Sequence, residues 1–103
     1  MWFIRDRDEH EIYLTETQWQ HIVSRHHELR GHLDDVLNTV RRGRRRQQPR
    51  DPQAYVYRRA CDTLRTPFNG ILVVVVFRFT QRDDGEMIPN NFIVTAWGIM
   101  MRR

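Results

Sequence analysis

At 103 residues, the chain has room for one domain with one core, since about two-thirds of the unfolded surface can be buried at that length. Its 40% apolar and 29% charged residues exclude a wholly disordered polymer. The net charge is +4 and all seventeen basic residues are arginine, which excludes a Schiff-base or P-loop lysine.

Planar guanidinium forks suit phosphate oxygens and base faces. A GC-rich coding bias would also replace lysine by arginine without any functional cause. Cys61 is the single cysteine, so neither an internal disulfide nor a multi-cysteine zinc site is open to the chain. The longest apolar run, Ile71 to Phe77, falls short of the ~20 residues that span a bilayer. Met1 to Arg5 lacks the apolar stretch of a signal peptide, so a cytoplasmic location is expected.

Trp2-Phe3-Ile4 and Ile12-Tyr13-Leu14 are short apolar runs flanking a charged stretch, and are expected to pair as a small hairpin. Thr15 followed by Gln18 matches a capping box. Trp19, Ile22, Val23 and His26 then recur at helical spacing, predicting an amphipathic helix that ends near Glu28. Leu33, Val36, Leu37 and Val40 repeat the pattern in a second helix closed by Gly43. Arg41 to Arg50 reads as a helix end running into a basic loop, with Pro49 and Pro52 breaking regular structure.

Ala54 to Arg59, Ile71 to Thr80 and Phe92 to Met101 read as strands. Turn signals stand at Pro67-Phe68-Asn69-Gly70 and Asp83-Asp84-Gly85. Helices followed by strands predict an α+β fold, two N-terminal helices packed on a roughly four-stranded antiparallel sheet, in a single domain over 1–103.

Two histidines on the first helix invite chemistry. His26 falls on the apolar stripe expected to face the sheet, while His21 falls on the other side, beside Arg25 and Glu28. A buried imidazole must be hydrogen-bonded or it costs free energy, and its near-neutral pKa makes it the usual proton carrier. Structural and catalytic roles are both open to it. Metal binding is not expected: His21 and His26 are five apart, as are His27 and His32, whereas ligands on one helix need a spacing of three or four.

Strand alternation sets Tyr55, Tyr57 and Arg59 on one sheet face and Val56 and Arg58 on the other. Rings beside guanidinium groups suit bases and phosphates of single-stranded nucleic acid. An ordinary exposed strand face would look the same. Arg78 follows a Val-rich run and Thr95 lies in an apolar strand. Arg44, Arg45 and Arg46 would add sequence-independent affinity for a polyanion through counterion release. Tyr55, Tyr57, Arg78, Arg44, Arg45 and Arg46 are therefore the candidate RNA contacts.

Four segments taken together resemble the barnase–EndoU–colicin–RelE-like nucleases, and most closely their phage-associated branch. They are His21-Ile22-Val23-Ser24-Arg25-His26-His27-Glu28-Leu29, Tyr55 to Arg59, Ile71 to Arg78, and Ile93-Val94-Thr95-Ala96-Trp97. The branch pattern is a helix reading HI…HPEL, a strand arginine, and a closing (I/V)TA plus aromatic. His27 stands here where that pattern has proline, and the lysine some members carry near the scissile phosphate has no counterpart.

The resemblance implies a RelE/barnase-like fold and a metal-independent, cofactor-free ribonuclease, a class rich in toxins. It implies His26, His21, Arg58, Arg59 and Thr95 as the catalytic group. The expected reaction is attack of a ribose 2′-OH on the adjacent phosphorus. One histidine serves as acid or base, arginine steadies the phosphoryl charge, and Thr95 supplies a hydrogen bond. The implied partners are RNA, with a neutralising antitoxin protein or the ribosome beside it, and no membrane. The alternative is a non-catalytic RNA-, ribosome- or protein-binding module of the same fold.

Overall fold

The computed structural model describes Met1 to Arg102. A hairpin of β1 (Trp2–Arg5) and β2 (Glu11–Leu14) leads into α1 (Glu16–Arg25), one turn of 3-10 helix (His27–Leu29) and α2 (Leu33–Arg42). Four strands follow: β3 (Arg44–Gln48), β4 (Asp51–Ala60), β5 (Gly70–Gln81) and β6 (Met87–Ile99).

The hairpin forms as expected, with Trp2 opposite Leu14 and Ile4 opposite Ile12. Thr15 caps α1 by accepting from the Gln18 backbone N–H at 3.1 Å. The reciprocal half of the capping box is absent, because the Gln18 side chain donates to the Val94 carbonyl on β6 instead. α1 stops at Arg25 rather than near Glu28. The His26 N–H closes on the Ile22 carbonyl at 2.8 Å, and its backbone has left helical space (φ −125, ψ 77).

α2 ends at Gly43 for a reason of space. Its φ of −72 suits any residue, but an added Cβ would lie 2.2 Å from the Thr39 carbonyl oxygen and 2.9 Å from that of Arg58. Only glycine lets the helix end sit against β4.

The sheet order is β1-β2-β6-β5-β4-β3. All neighbours are antiparallel except β2 and β6, which run parallel through Ile12–Asn91 and Tyr13–Phe92. The α+β class is as expected. The sheet, however, is six-stranded and mixed rather than four-stranded and antiparallel, and the helices follow a hairpin instead of opening the chain.

Two features cause the difference. The hairpin extends the main sheet instead of standing apart from it. The arginine run forms β3 rather than a loop, with Arg44 opposite Arg58, Arg45 opposite Tyr57 and Arg46 opposite Val56. The edge of β4 carries backbone groups that need partners. A strand of long, solvated side chains satisfies them while remaining a safe sheet edge.

One face of the sheet carries the core. Ile12, Val73 and Val75 pack there with Ile22, Leu29 and Val36 from the helical side, each fully buried side chain being worth about 1.5–3 kcal/mol. β6 gains an extra residue at the register shift opposite Val74 and Val75, a bulge that bends the strand. Beyond it, the Gly98 N–H donates to Glu28 Oε2 at 2.8 Å. Gln18 and Glu28 thus close the edge of β6 where β2 no longer covers it.

Candidate nucleic-acid interface

Residues directly opposite each other across a sheet share a face. The register therefore sets Arg44, Arg58, Leu72 and Trp97 in one line across β3, β4, β5 and β6, on the face turned away from the helices. Arg46, Val56, Val74 and Thr95 form the adjacent line. Arg44, Arg46, Arg58, Leu72, Val74 and Trp97 line a cleft of about 570 Å³.

Where β3 and β4 meet the end of α2, a second cleft of about 360 Å³ is lined by Arg7, Arg42, Arg44, Arg58 and Arg59. Among the described residues Arg5, Arg45 and Arg82 have carboxylate partners, whereas Arg7, Arg42, Arg44, Arg46, Arg58 and Arg59 have none. Gathering like charges without counter-charge raises the local positive potential and draws a polyanion to it. Guanidinium forks are suited to charge-assisted hydrogen bonds with phosphate oxygens.

His26 extends the first line. Its ring lies beside Trp97, centroids 6.0 Å apart at 33°. It caps α1 at the sheet edge instead of facing the core, with its side chain 32% exposed. Its Nδ1 is 3.9 Å from Glu28 Oε2, and that same oxygen is held by the Gly98 N–H. A nearly buried carboxylate anchored to the sheet thus stands behind the imidazole. Nε2 makes no hydrogen bond among the described residues.

The other expected residues divide between two surfaces. Thr95 is half-buried on the open face, and Arg78 holds its guanidinium 5.8 Å from the Phe92 ring there. Arg58 and Arg59 point to opposite faces but share the smaller cleft. His21 is exposed on the solvent side of α1, so the two histidines do not meet.

Tyr57 is 1% exposed and donates to Asp6 Oδ2 at 2.5 Å, which leaves no ring face for a base. Tyr55 packs edge-on against Phe77 at 5.0 Å, with the Arg45 guanidinium 4.4 Å over its ring. Arg45 itself pairs with Asp8 at 3.2 Å. Alternation turns Tyr55, Tyr57 and Arg45 toward the helical side, so of the expected RNA contacts on β3 and β4 the open face keeps Arg44 and Arg46, beside Arg58 of the expected catalytic group.

Asp6 is 4% exposed and organises the β1–β2 turn. Its Oδ1 accepts from the backbone N–H of Asp8 at 3.0 Å and of His10 at 2.9 Å, and the His10 ring meets Oδ2 at 3.0 Å. Burial pushes its carboxyl up, but the hydrogen bonds from Tyr57 and His10 outweigh it and hold the group below its ordinary value. Burial, then the bond to Asp6, drives the Tyr57 phenol far above its ordinary value, so it keeps its proton.

Asp6, Asp8 and His10 bring three potential ligand atoms within 4.8 Å of one another. That alternating spacing on a turn escapes a search made along helices. The hydrogen bonds of the turn already account for the Asp6 oxygens.

Sequence reasoning misses Arg7 and Arg42, which reach the arginine cleft from different elements. It also misses the role of Glu28, which shows in the sequence only as a carboxylate two residues past His26. Among the described residues, no helix is long and apolar enough to cross a membrane. No family model, curated protein or solved structure matches the chain.

Proposed function

We propose that the chain is a metal-independent endoribonuclease that holds RNA along its open sheet face and cuts it beside His26. One observation carries this: the register aligns Arg44, Arg58, Leu72 and Trp97, and the His26 ring continues the line. An aromatic ring with a partly exposed imidazole beside it and unpaired guanidiniums two and three strands away answers the base, ribose and phosphates of one strand. The likeness of the helix and closing-strand motifs to the barnase–EndoU–colicin–RelE-like nucleases supports the same reading.

In the proposed reaction His26 takes the proton of a ribose 2′-OH. The 2′-oxygen bonds to phosphorus, the bond from phosphorus to the 5′-oxygen breaks, and water returns a proton to the leaving oxygen. The products are a 2′,3′-cyclic phosphate and a 5′-hydroxyl. Glu28 stands behind the imidazole, its Oε2 3.9 Å from Nδ1. Thr95, two residues before Trp97 on the same face, donates to a phosphoryl oxygen. Arg58 lies two strands from Trp97, about 10 Å, and Arg44 lies one strand further. They hold neighbouring phosphates.

A second reading, RNA binding without cleavage, draws on His26 being the one candidate histidine at this face. The test is incubation of end-labelled RNA with the protein in excess EDTA. Cyclic-phosphate products are expected, and His26→Gln lowers their rate by about 10²-fold or more while binding persists. Binding without products selects the second reading, and activity lost to EDTA overturns metal independence.

A further inference from the structure

The open face has a third line that the proposed reaction does not use. Phe3, Tyr13 and Phe92 are consecutive partners across β1, β2 and β6. Their rings lie side by side, Phe3 to Tyr13 at 6.2 Å and Tyr13 to Phe92 at 5.9 Å. Phe3 is 60% exposed, a poor arrangement for a ring whose only role is packing. Arg78 stands over the end of the row at Phe92.

Beside Tyr13 and Phe92 opens a cleft of about 180 Å³, with Thr15 and Gln18 on its wall. A cavity of ~150 Å³ takes one benzene ring, so the space is on the scale of a single aromatic ring. Gln18 spends its amide N–H on the Val94 carbonyl, and its Oε1 accepts no hydrogen bond among the described residues. Phe92 and Trp97 are five residues apart on β6, at most about 16 Å at ~3.3 Å per residue.

We infer that Phe3, Tyr13 and Phe92 form a base-stacking platform for single-stranded RNA, one base seated at the Tyr13–Phe92 cleft where Gln18 Oε1 accepts from its edge. This rests on the RNA reading of the open face and narrows it to unpaired strands. In a duplex the base faces are stacked within the helix and cannot lie on rings. Arg78, 5.8 Å from the Phe92 ring and without a carboxylate partner among the described residues, favours a polyanion over an apolar peptide as the occupant. The strand then runs from the arginine lines past Trp97 to the aromatic row, and a minimal substrate must span both.

The experiment is fluorescence anisotropy with a labelled 2′-O-methyl oligonucleotide of about eight nucleotides, within the usual single-strand site sizes, alone and annealed to its complement. The 2′-O-methyl group blocks cleavage. The parent is expected to prefer the single strand. Phe3→Ala and Tyr13→Leu each weaken it about 5- to 150-fold, and Tyr13→Phe binds as the parent does. Phe3 sits exposed on an edge strand, so Phe3→Ala keeps the fold, with circular dichroism as the check.

Parental affinity in both Phe3→Ala and Tyr13→Leu, while Arg58→Gln is weakened, overturns the platform and leaves the RNA face standing. Equal affinity for duplex and single strand also overturns it. A parent that binds no oligonucleotide overturns the RNA reading and the platform with it.

Discussion

Three consecutive arginines separate the sheet's two faces and so make the proposed binding surface testable. Arg44 and Arg46 stand on the open face with Arg58, while Arg45 between them is turned to the helical side and paired with Asp8. Six arginines without carboxylate partners line the two clefts: Arg7, Arg42, Arg44, Arg46, Arg58 and Arg59. A single strand loses about 0.7 from the slope of log affinity against log salt for each phosphate neutralised.

If each of the six meets one phosphate, the parental slope is about −4, and changing Arg44, Arg46 and Arg58 to Gln reduces it to about −2. Between about 50 and 200 mM salt, affinity then falls about 300-fold for the parent and about 20-fold for the triple variant. Arg45→Gln leaves the slope alone. Its cost is the partly exposed ion pair with Asp8, of about 0–1 kcal/mol, and the cation–π contact with Tyr55. Anisotropy titrations of a single-stranded oligonucleotide at four salt concentrations read both numbers. A triple variant with the parental slope refutes the register-based interface. So does an Arg45→Gln protein that flattens the slope as much as Arg44→Gln.

Tyr57→Phe removes one hydrogen bond to a buried carboxylate that keeps its other donors, and should lower stability by about 1.5–3 kcal/mol in urea denaturation. Asp6 is held below its ordinary 3.8, so it stays ionised in the folded chain at pH values where the unfolded chain takes up a proton. The stability it supplies is complete above about pH 4 and is lost as pH falls through the lowered value. Asp6→Asn should therefore flatten the acid limb of a stability profile measured from pH 6 to pH 2. His21→Ala should leave stability within about 0.5 kcal/mol and RNA cleavage at the parental rate; a folded His21→Ala protein that cuts no RNA would return His21 to the site.

Local pairing and helical spacing are legible in the amino-acid sequence. The hairpin Trp2–Ile4 with Ile12–Leu14 needs only neighbours in the chain, and the stripe of Leu33, Val36, Leu37 and Val40 has a clear period. Three things are not legible. The parallel join of β2 to β6 unites residues such as Ile12 and Asn91, and no local pattern announces so distant a partner.

β3 is hidden because strand alternation shows as a change of residue type. Arg44, Arg45 and Arg46 alternate sides without changing type. His26 keeps the helical period past the real end of α1, since spacing marks a face but not where the backbone turns away from it. Among the candidate site residues, Arg58, Thr95 and His26 stand out in the sequence by their motifs. Tyr57 misleads because its partner Asp6 lies 51 residues away, and only the folded sheet brings the two together.

The arginines of β3 have a second effect, on encounters between copies of the chain. β3 ends the sheet order, so its outer row of backbone donors and acceptors has no strand beside it among the described residues. Such rows are where sheets from separate molecules join. Two β3 edges brought together would crowd three arginines from each strand, and like charges close across strands are destabilising. Free chains are therefore held apart at that edge.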